Sequence, residues 1–251
     1  MDHDRFGCIA PIQEDQTVKK GAVVIFARRP ELRKVKTRLH SRIGESLALS
    51  LYRAFLADTL VAARQSGARV ILAHTAGPAF PEQALADITI CQQGGNFGER
   101  FDFSLAEAKK LLPAGTPLVL IGADTPQLSP NFLNKATATL RIHDAVIGPN
   151  DNGGFYLLGF SKQPIPVAAV FAHTAEEEPR ELDRLLREVG FRTAFLEQQF
   201  DIDQPEDLTR LARLISHLER THSDWIPRNT RNLMRSQRLI SPTATPTLLL
   251  G

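Results

Sequence analysis

Two rhythms of apolar residues run through this sequence. Residues 21–27 read Gly-Ala-Val-Val-Ile-Phe-Ala, an unbroken apolar run of strand length with β-branched members. Such a run suits a strand covered on both faces, as in a parallel sheet. Residues 68–73, 87–91, 117–121, 144–147, 155–160 and 191–196 carry strand signatures of similar or shorter length. Between them the period changes. Leu47, Leu51, Phe55, Leu56 and Leu60 recur at helical spacing over residues 44–63. Further helices are predicted from the glycine turn at 94–98 to Leu112, after Ser129-Pro130, over about 177–189, and from Pro205 onward. Strands alternating with helices at this interval predict βαβ units. The expected architecture is a three-layer α/β/α, Rossmann-like fold with a mostly parallel mixed central sheet.

Three segments follow from the same pattern: a polar N-terminal arm at 1–19, one α/β domain at 20–220, and an Arg-rich tail at 221–251 that is expected to be flexible. The chain has 251 residues, 43% of them apolar, which is ample for one large core. No unbroken apolar run approaches the roughly 18 residues that span a bilayer. The start carries Asp2, Asp4, Glu14 and Asp15, unlike a signal peptide. The cytoplasm is therefore the expected location, with no membrane partner. Cys8 and Cys91 lie too far apart in sequence to read as a metal-ligand pair, and two idle thiols are the expectation. A net charge of +2 does not select nucleic acid as a partner. Arg228, Arg231, Arg235 and Arg238 in the tail are read as solvated.

Charge is unevenly spread, however. Arg28, Arg29, Arg33, Lys34, Lys36, Arg38 and Arg42 crowd one segment just after the first strand, with Glu31 the only acid among them. In open α/β sheets, ligands bind beyond the carboxyl ends of the strands. Cations gathered there repel one another unless an anion lies between them, and the phosphates of a nucleotide are a natural counter-charge. A solvated basic loop is the competing reading. Neither Gly-x-x-x-x-Gly-Lys nor Gly-x-Gly-x-x-Gly is present. Asp124 stands at the end of another strand, and Asp201 and Asp203 follow the last one. Carboxylate oxygens of this kind hold Mg²⁺, which keeps waters and borrows phosphate oxygens. Asp124 as a turn residue and Asp203 as a helix cap are the alternatives. The glycine turns at 94–100 and 148–154 permit close backbone approach to a ligand, with Arg100 near the first.

In order, the chain contains Arg28-Arg-Pro, Val35-Lys-Thr-Arg-Leu39, Gly95-Asn-Phe-Gly-Glu-Arg100, Gly122-Ala-Asp-Thr-Pro126, Gly148-Pro with Gly153-Gly-Phe-Tyr156, and Asp201-Ile-Asp-Gln-Pro-Glu-Asp-Leu208. This series resembles the bacterial glycosyltransferase-like family labelled arsenosugar-biosynthesis or radical-SAM/selenodomain-associated transferase. That family lies within the nucleotide-diphospho-sugar transferase (GT-A) superfamily and is related to 2-phospholactate guanylyltransferase. The resemblance runs from about Gly21 to Leu214 and implies a GT-A fold, a nucleotide or nucleotide-sugar substrate and a small-molecule acceptor. It also implies Mg²⁺ (or Mn²⁺) on Asp124 and Asp203. Lys36 and Arg38 match a Lys-Thr-Arg motif expected to meet phosphate and to act in catalysis. Arg28, Thr37, Gly95, Arg100, Gly153 and Gly154 complete the expected nucleotide contacts. The chain departs from the family at Arg28 and Arg33, where Lys and Gly are usual, and at Asn96 and Asn152, where Asp is usual. Asp151 is the expected substitute for the charge lost at Asn152 and is expected to act in catalysis with Lys36 and Arg38. Glycosyl transfer from a nucleotide sugar is the expected reaction. The alternatives are nucleotidyl transfer from a nucleoside triphosphate to a small phosphorylated acceptor, releasing pyrophosphate, and a nucleotide-binding module without catalysis. Nucleobase, sugar, acceptor and oligomeric state stay open.

Overall fold

The computed structural model describes residues 21–172 and 178–240. The arm at 1–19 and residues 241–251 lie outside the described residues. Seven strands form one sheet: β1 (Ala22–Ala27), β2 (Arg69–His74), β3 (Ile88–Cys91), β4 (Leu118–Gly122), β5 (Ala145–Pro149), β6 (Phe155–Phe160) and β7 (Thr193–Phe195). Their order is β3-β2-β1-β4-β6-β5-β7. All neighbours are parallel except β6, which runs antiparallel to both β4 and β5. β1 is an interior strand, pairing Ala22 with Arg69 on one side and with Leu118 on the other.

Helices α1 (His40–Ile43), α2 (Glu45–Gln65), α3 (Phe97–Lys110), α4 (Pro130–Thr139), α5 (Glu178–Glu188), α6 (Pro205–Arg220) and α7 (Arg228–Ser236) surround the sheet. Period-two alternation divides the core. Val23 and Ile25 of β1 pack with Leu56 and Leu60 of α2 and Leu133 of α4, whereas Ala22 and Val24 pack with Phe101 and Leu105 of α3 and Leu182 of α5. Both faces of β1 are thus apolar, which is why its sequence is an unbroken run. A third cluster joins Leu51 and Phe55 of α2 to Leu211 and Ile215 of α6 and to Met234. By length and composition alone α2 could cross a membrane, but most of its apolar side chains are taken up by the first and third of these clusters.

The tail is the clearest departure from expectation. Residues 221–240 are described, and α7 lies on α2 with Thr230 and Met234 fully buried. Asp58 of α2 accepts hydrogen bonds from the Asn229 and Thr230 backbone N–H groups at 3.0 and 2.8 Å. Arg231 and Arg235 are not free for an outside anion, because they pair with Glu219 at 3.6 and 2.8 Å. The apolar content of α7 is low, and only the four-residue spacing of its two buried positions marks an inward face.

Candidate active site

Strand order reverses at β1 and β4, so the loops leaving their carboxyl ends open a crevice. The loop after β1 is anchored by Val35 and Leu39, both buried, and by Tyr52 Oη, which donates to the Arg28 carbonyl at 2.8 Å. Between the two apolar anchors Lys36 adopts a left-handed conformation (φ 48°). For a residue with a Cβ this costs on the order of 1 kcal/mol or more, and such strain gathers at functional sites. The Lys36 side chain is only 4% exposed.

Asp124 follows Gly122 at the end of β4. The chain beyond β7 is stitched to it: Ile202 N–H donates to the Asp124 carbonyl at 3.0 Å, and Gln127 Nε2 donates to the Phe200 carbonyl at 2.6 Å. Ile202 is fully buried, leaving its acidic neighbours Asp201 and Asp203 beside Asp124. The two distant carboxylates meet on one cation. Lys36 Nζ lies 2.5 Å from Asp124 Oδ1 and 2.8 Å from Asp203 Oδ1. Burial alone pulls the Lys36 ammonium down, but the charges of Asp124 and Asp203 outweigh it and hold its pKa above the ordinary lysine value. Arg38 approaches Asp203 at 3.7 Å from a largely exposed position. Asp201 is pushed up to about 6, chiefly by burial and then by repulsion from Asp203 and Asp124. The Asn150 and Asn152 side-chain amides donate to it at 3.3 and 3.0 Å.

Lys36, Arg38, Asp124 and Asp203, but not Asp201, border a cavity of about 950 Å³, within the range of small-molecule sites. Arg28, Arg33, Lys34, Lys36, Thr37, Arg38 and Arg100 line it. Not every cation is available: Arg33 pairs with Glu45 at 2.8 Å and Lys34 with Glu31 at 2.7 Å. Arg28 and Arg100 have no acidic partner among the described residues.

Other lining residues are apolar or amide-bearing. Phe97, 47% exposed, packs edge-on against Phe26 at 5.4 Å and Phe171 at 4.8 Å. Gln92, just past β3, donates both N–H bonds of its amide, to the Ala27 and Ala73 carbonyls at 3.0 and 2.8 Å. That fixes its orientation and leaves Oε1 as the remaining acceptor of a residue that lines the cavity.

Other expected residues stay outside this convergence. Asp151 forms an ion pair with Arg210 of α6 and does not border the cavity, so its expected catalytic role is corrected: its charge is already balanced. Gly95 N–H donates to Glu99 Oε2 at 2.7 Å, Gly153 N–H to the Asn150 carbonyl at 3.4 Å, and Gly154 N–H to Asn152 Oδ1 at 3.1 Å. The two turns spend these donors on themselves, so none of the three glycines offers a free N–H to phosphate. Asn96 caps α3, accepting from Glu99 N–H at 2.9 Å. Conversely, Tyr52, Gln92 and Phe97 were not expected in the site. Gln92 was signalled only by its place beyond a strand, and Phe97 by an apolar residue opening a helix.

The antiparallel β6 inserted between β4 and β5, with a cation-lined crevice at the strand ends, defines a Rossmann-like nucleotide-transferase fold of GT-A type. The chain belongs to the family described as uncharacterized protein conserved in bacteria (DUF2064), whose profile matches residues 48–175. It is similar to a candidate nucleotide-diphospho-sugar transferase from Desulfovibrio desulfuricans G20, at 28% identity over 88% of this chain and 97% of that chain, with a TM-score of 0.74. Fainter likenesses include CMP:2-keto-3-deoxy-manno-octonic acid synthetase complexed with CTP, at 13% identity over 78% of this chain and 98% of that one, with a TM-score of 0.45. Another is 2-C-methyl-D-erythritol 4-phosphate cytidylyltransferase from Thermus thermophilus, at 18% identity, 76% and 98% coverage and a TM-score of 0.43. No curated protein matches it.

Proposed function

We propose that this protein is a transferase that binds a nucleotide sugar and passes its glycosyl group to a small-molecule acceptor. The observation that carries the reading is the buried Lys36 ammonium held by Asp124 and Asp203 on the border of a cavity that Arg28, Arg38 and Arg100 also line. Arg28, Arg38 and Arg100 bind the diphosphate, where guanidinium forks suit phosphate oxygens. The base lies against Phe97, and Gln92 Oε1 accepts one of its N–H groups. Asp124 and Asp203 would hold Mg²⁺ or Mn²⁺. Their chemistry fits as far as two ligands go: two hard carboxylate oxygens converge, on the Lys36 ammonium, and no group of three or more His, Cys, Asp or Glu side chains suited to a metal occurs among the described residues. Phosphate oxygens and water would complete the shell, as is usual for Mg²⁺. Bound there, the ion supplies positive charge to the diphosphate.

In the reaction the bond from the sugar's anomeric carbon to the phosphate oxygen breaks, and the nucleoside diphosphate leaves with the electron pair. The acceptor hydroxyl oxygen bonds to that carbon and gives up its proton. Water takes that proton, because Asp201, oriented by the Asn150 and Asn152 amides, does not border the cavity. Arg38 and Arg100 stabilise the charge that grows on the leaving group, where loss of one preset donor typically costs ~10²–10³ in rate. The neutralisation of Arg33 by Glu45 and of Lys34 by Glu31 favours glycosyl over nucleotidyl transfer. With those cations already balanced, the cavity is better matched to a diphosphate than to a triphosphate.

A thermal-shift screen of nucleotide sugars and nucleoside triphosphates with Mg²⁺, followed by product detection, tests this. A nucleotide sugar that raises Tm and releases nucleoside diphosphate in the presence of acceptor supports the reading. Selective response to a triphosphate with pyrophosphate release refutes glycosyl transfer.

A further inference from the structure

The two carboxylates assigned to a divalent ion already hold a cation of the protein's own. Lys36 Nζ contacts Asp124 Oδ1 at 2.5 Å and Asp203 Oδ1 at 2.8 Å, and its side chain is 4% exposed. Asp124 has no other cationic partner among the described residues, and Asp203 has only Arg38 at 3.7 Å. A divalent ion approaching these oxygens meets a buried ammonium near contact distance, and the like charges repel. Lys36 cannot yield by turning into apolar surroundings, because a buried charge without a partner is far more costly than a paired one. The counter-charge that can take it over is an anion in the cavity it lines with Arg28 and Arg100.

We infer that Lys36 is a placeholder cation: it keeps divalent metal off Asp124 and Asp203 until the phosphates of a nucleotide take up its ammonium, so that metal and nucleotide bind as one cooperative event. The inference rests on the nucleotide-transferase reading and adds an order to its ligands. Three groups must be neutralised together. The nucleotide's phosphates supply both the new partner for Lys36 and the remaining ligands for the metal. By linkage, nucleotide strengthens metal binding by the same factor as metal strengthens nucleotide binding. The protein therefore holds free divalent ions weakly, and holds a nucleotide weakly without one.

Protein-bound Mn²⁺ in the full chain, measured by equilibrium dialysis at matched free Mn²⁺ with and without inorganic pyrophosphate, tests this. Wild-type protein is expected to bind Mn²⁺ about tenfold more weakly without pyrophosphate than with it, a typical coupling between linked sites. Lys36→Met, without pyrophosphate, is expected to bind Mn²⁺ about tenfold more tightly than wild type, and pyrophosphate should add less to it. Equal Mn²⁺ affinity in the two proteins without pyrophosphate overturns the inference. Should circular dichroism find Lys36→Met unfolded, Lys36→Gln replaces it. Wild type alone also decides, since pyrophosphate that leaves its Mn²⁺ affinity unchanged refutes the placeholder. If wild type binds neither pyrophosphate nor any nucleotide, the transferase reading falls and takes this inference with it. If phosphate binds while Mn²⁺ affinity is unmoved in Lys36→Met, this inference alone falls.

Discussion

Replacing Asp58 by alanine tests whether the C-terminal segment is part of the folded unit. Asp58 is 1% exposed and receives three hydrogen bonds from the first turn of α7: Asn229 N–H at 3.0 Å, Asn229 Nδ2 at 2.8 Å and Thr230 N–H at 2.8 Å. Thr230 is fully buried, so its orphaned N–H would cost about 2 kcal/mol, in the range for an unsatisfied buried donor. Asn229 is exposed and water can replace its partner, leaving a helix-cap loss of about 1 kcal/mol. Against this, burial raises the Asp58 pKa, so the wild-type carboxylate is itself held at some expense that alanine relieves. The net is about 2–3 kcal/mol, or roughly 5–10 °C in Tm for a chain of this size. Calorimetry reads the shift, and hydrogen exchange locates it: amides of α7 should exchange far faster than those of β1. A Tm within about 2 °C of wild type, with α7 amides still protected, would refute the reasoning.

Phe97→Ala removes the exposed ring proposed to meet the base, and nucleotide affinity should fall about tenfold, since stacking on an aromatic contributes ~1–3 kcal/mol per base; unchanged affinity by isothermal titration sinks that assignment. Gly98→Ala should cost about 1–3 kcal/mol by overpacking, because a Cβ there would lie 2.8 Å from the Ala168 Cα; a urea midpoint equal to wild type would show that the contact can relax. Asp144, which accepts from the Arg192 backbone and side chain and pairs with Lys162 at 2.9 Å, has a pKa well below the ordinary carboxylate range. A lowered folded-state pKa contributes stability that is present above the unfolded value of about 4 and lost as pH falls below it. Asp144→Asn should therefore be less stable than wild type at pH 7, with the gap narrowing under acid; a gap independent of pH in thermal melts would contradict this.

The strands were legible because burial on both faces leaves no room for polar alternation, and β1 shows this in six consecutive residues. The convergence of Asp124 and Asp203 was legible too, since both follow strands whose carboxyl ends share one rim. The partner of those aspartates was not. A basic run reads the same whether its side chains point outward or in, and only Val35 and Leu39, buried on either side, turn Lys36 toward the acids. Four of the expected contacts failed for a common reason: Gly95, Gly153 and Gly154 spend their donors within their own turns, and Asp151 spends its charge on Arg210. Local self-satisfaction of this kind leaves no trace in residue type. Gln92 illustrates the converse. Its importance lies in two carbonyls, on β1 and β2, that consume its donors and aim its acceptor, and nothing in the pair Gln92-Gln93 announces them.

The link between Lys36 and Asp203 closes a loop of 167 residues. Closing a circuit that long is entropically unfavourable until most of the intervening sheet stands, and folds dominated by such distant pairings assemble slowly. The ammonium and its two acids can then come together only near the end of folding. Until that moment Lys36 is a solvated side chain on a flexible strand of polymer, and the protein has no place to put a nucleotide. Ligand binding during refolding would accordingly report completion of the whole architecture rather than the growth of any part, a sharper clock than the gain of helix or the burial of Trp225.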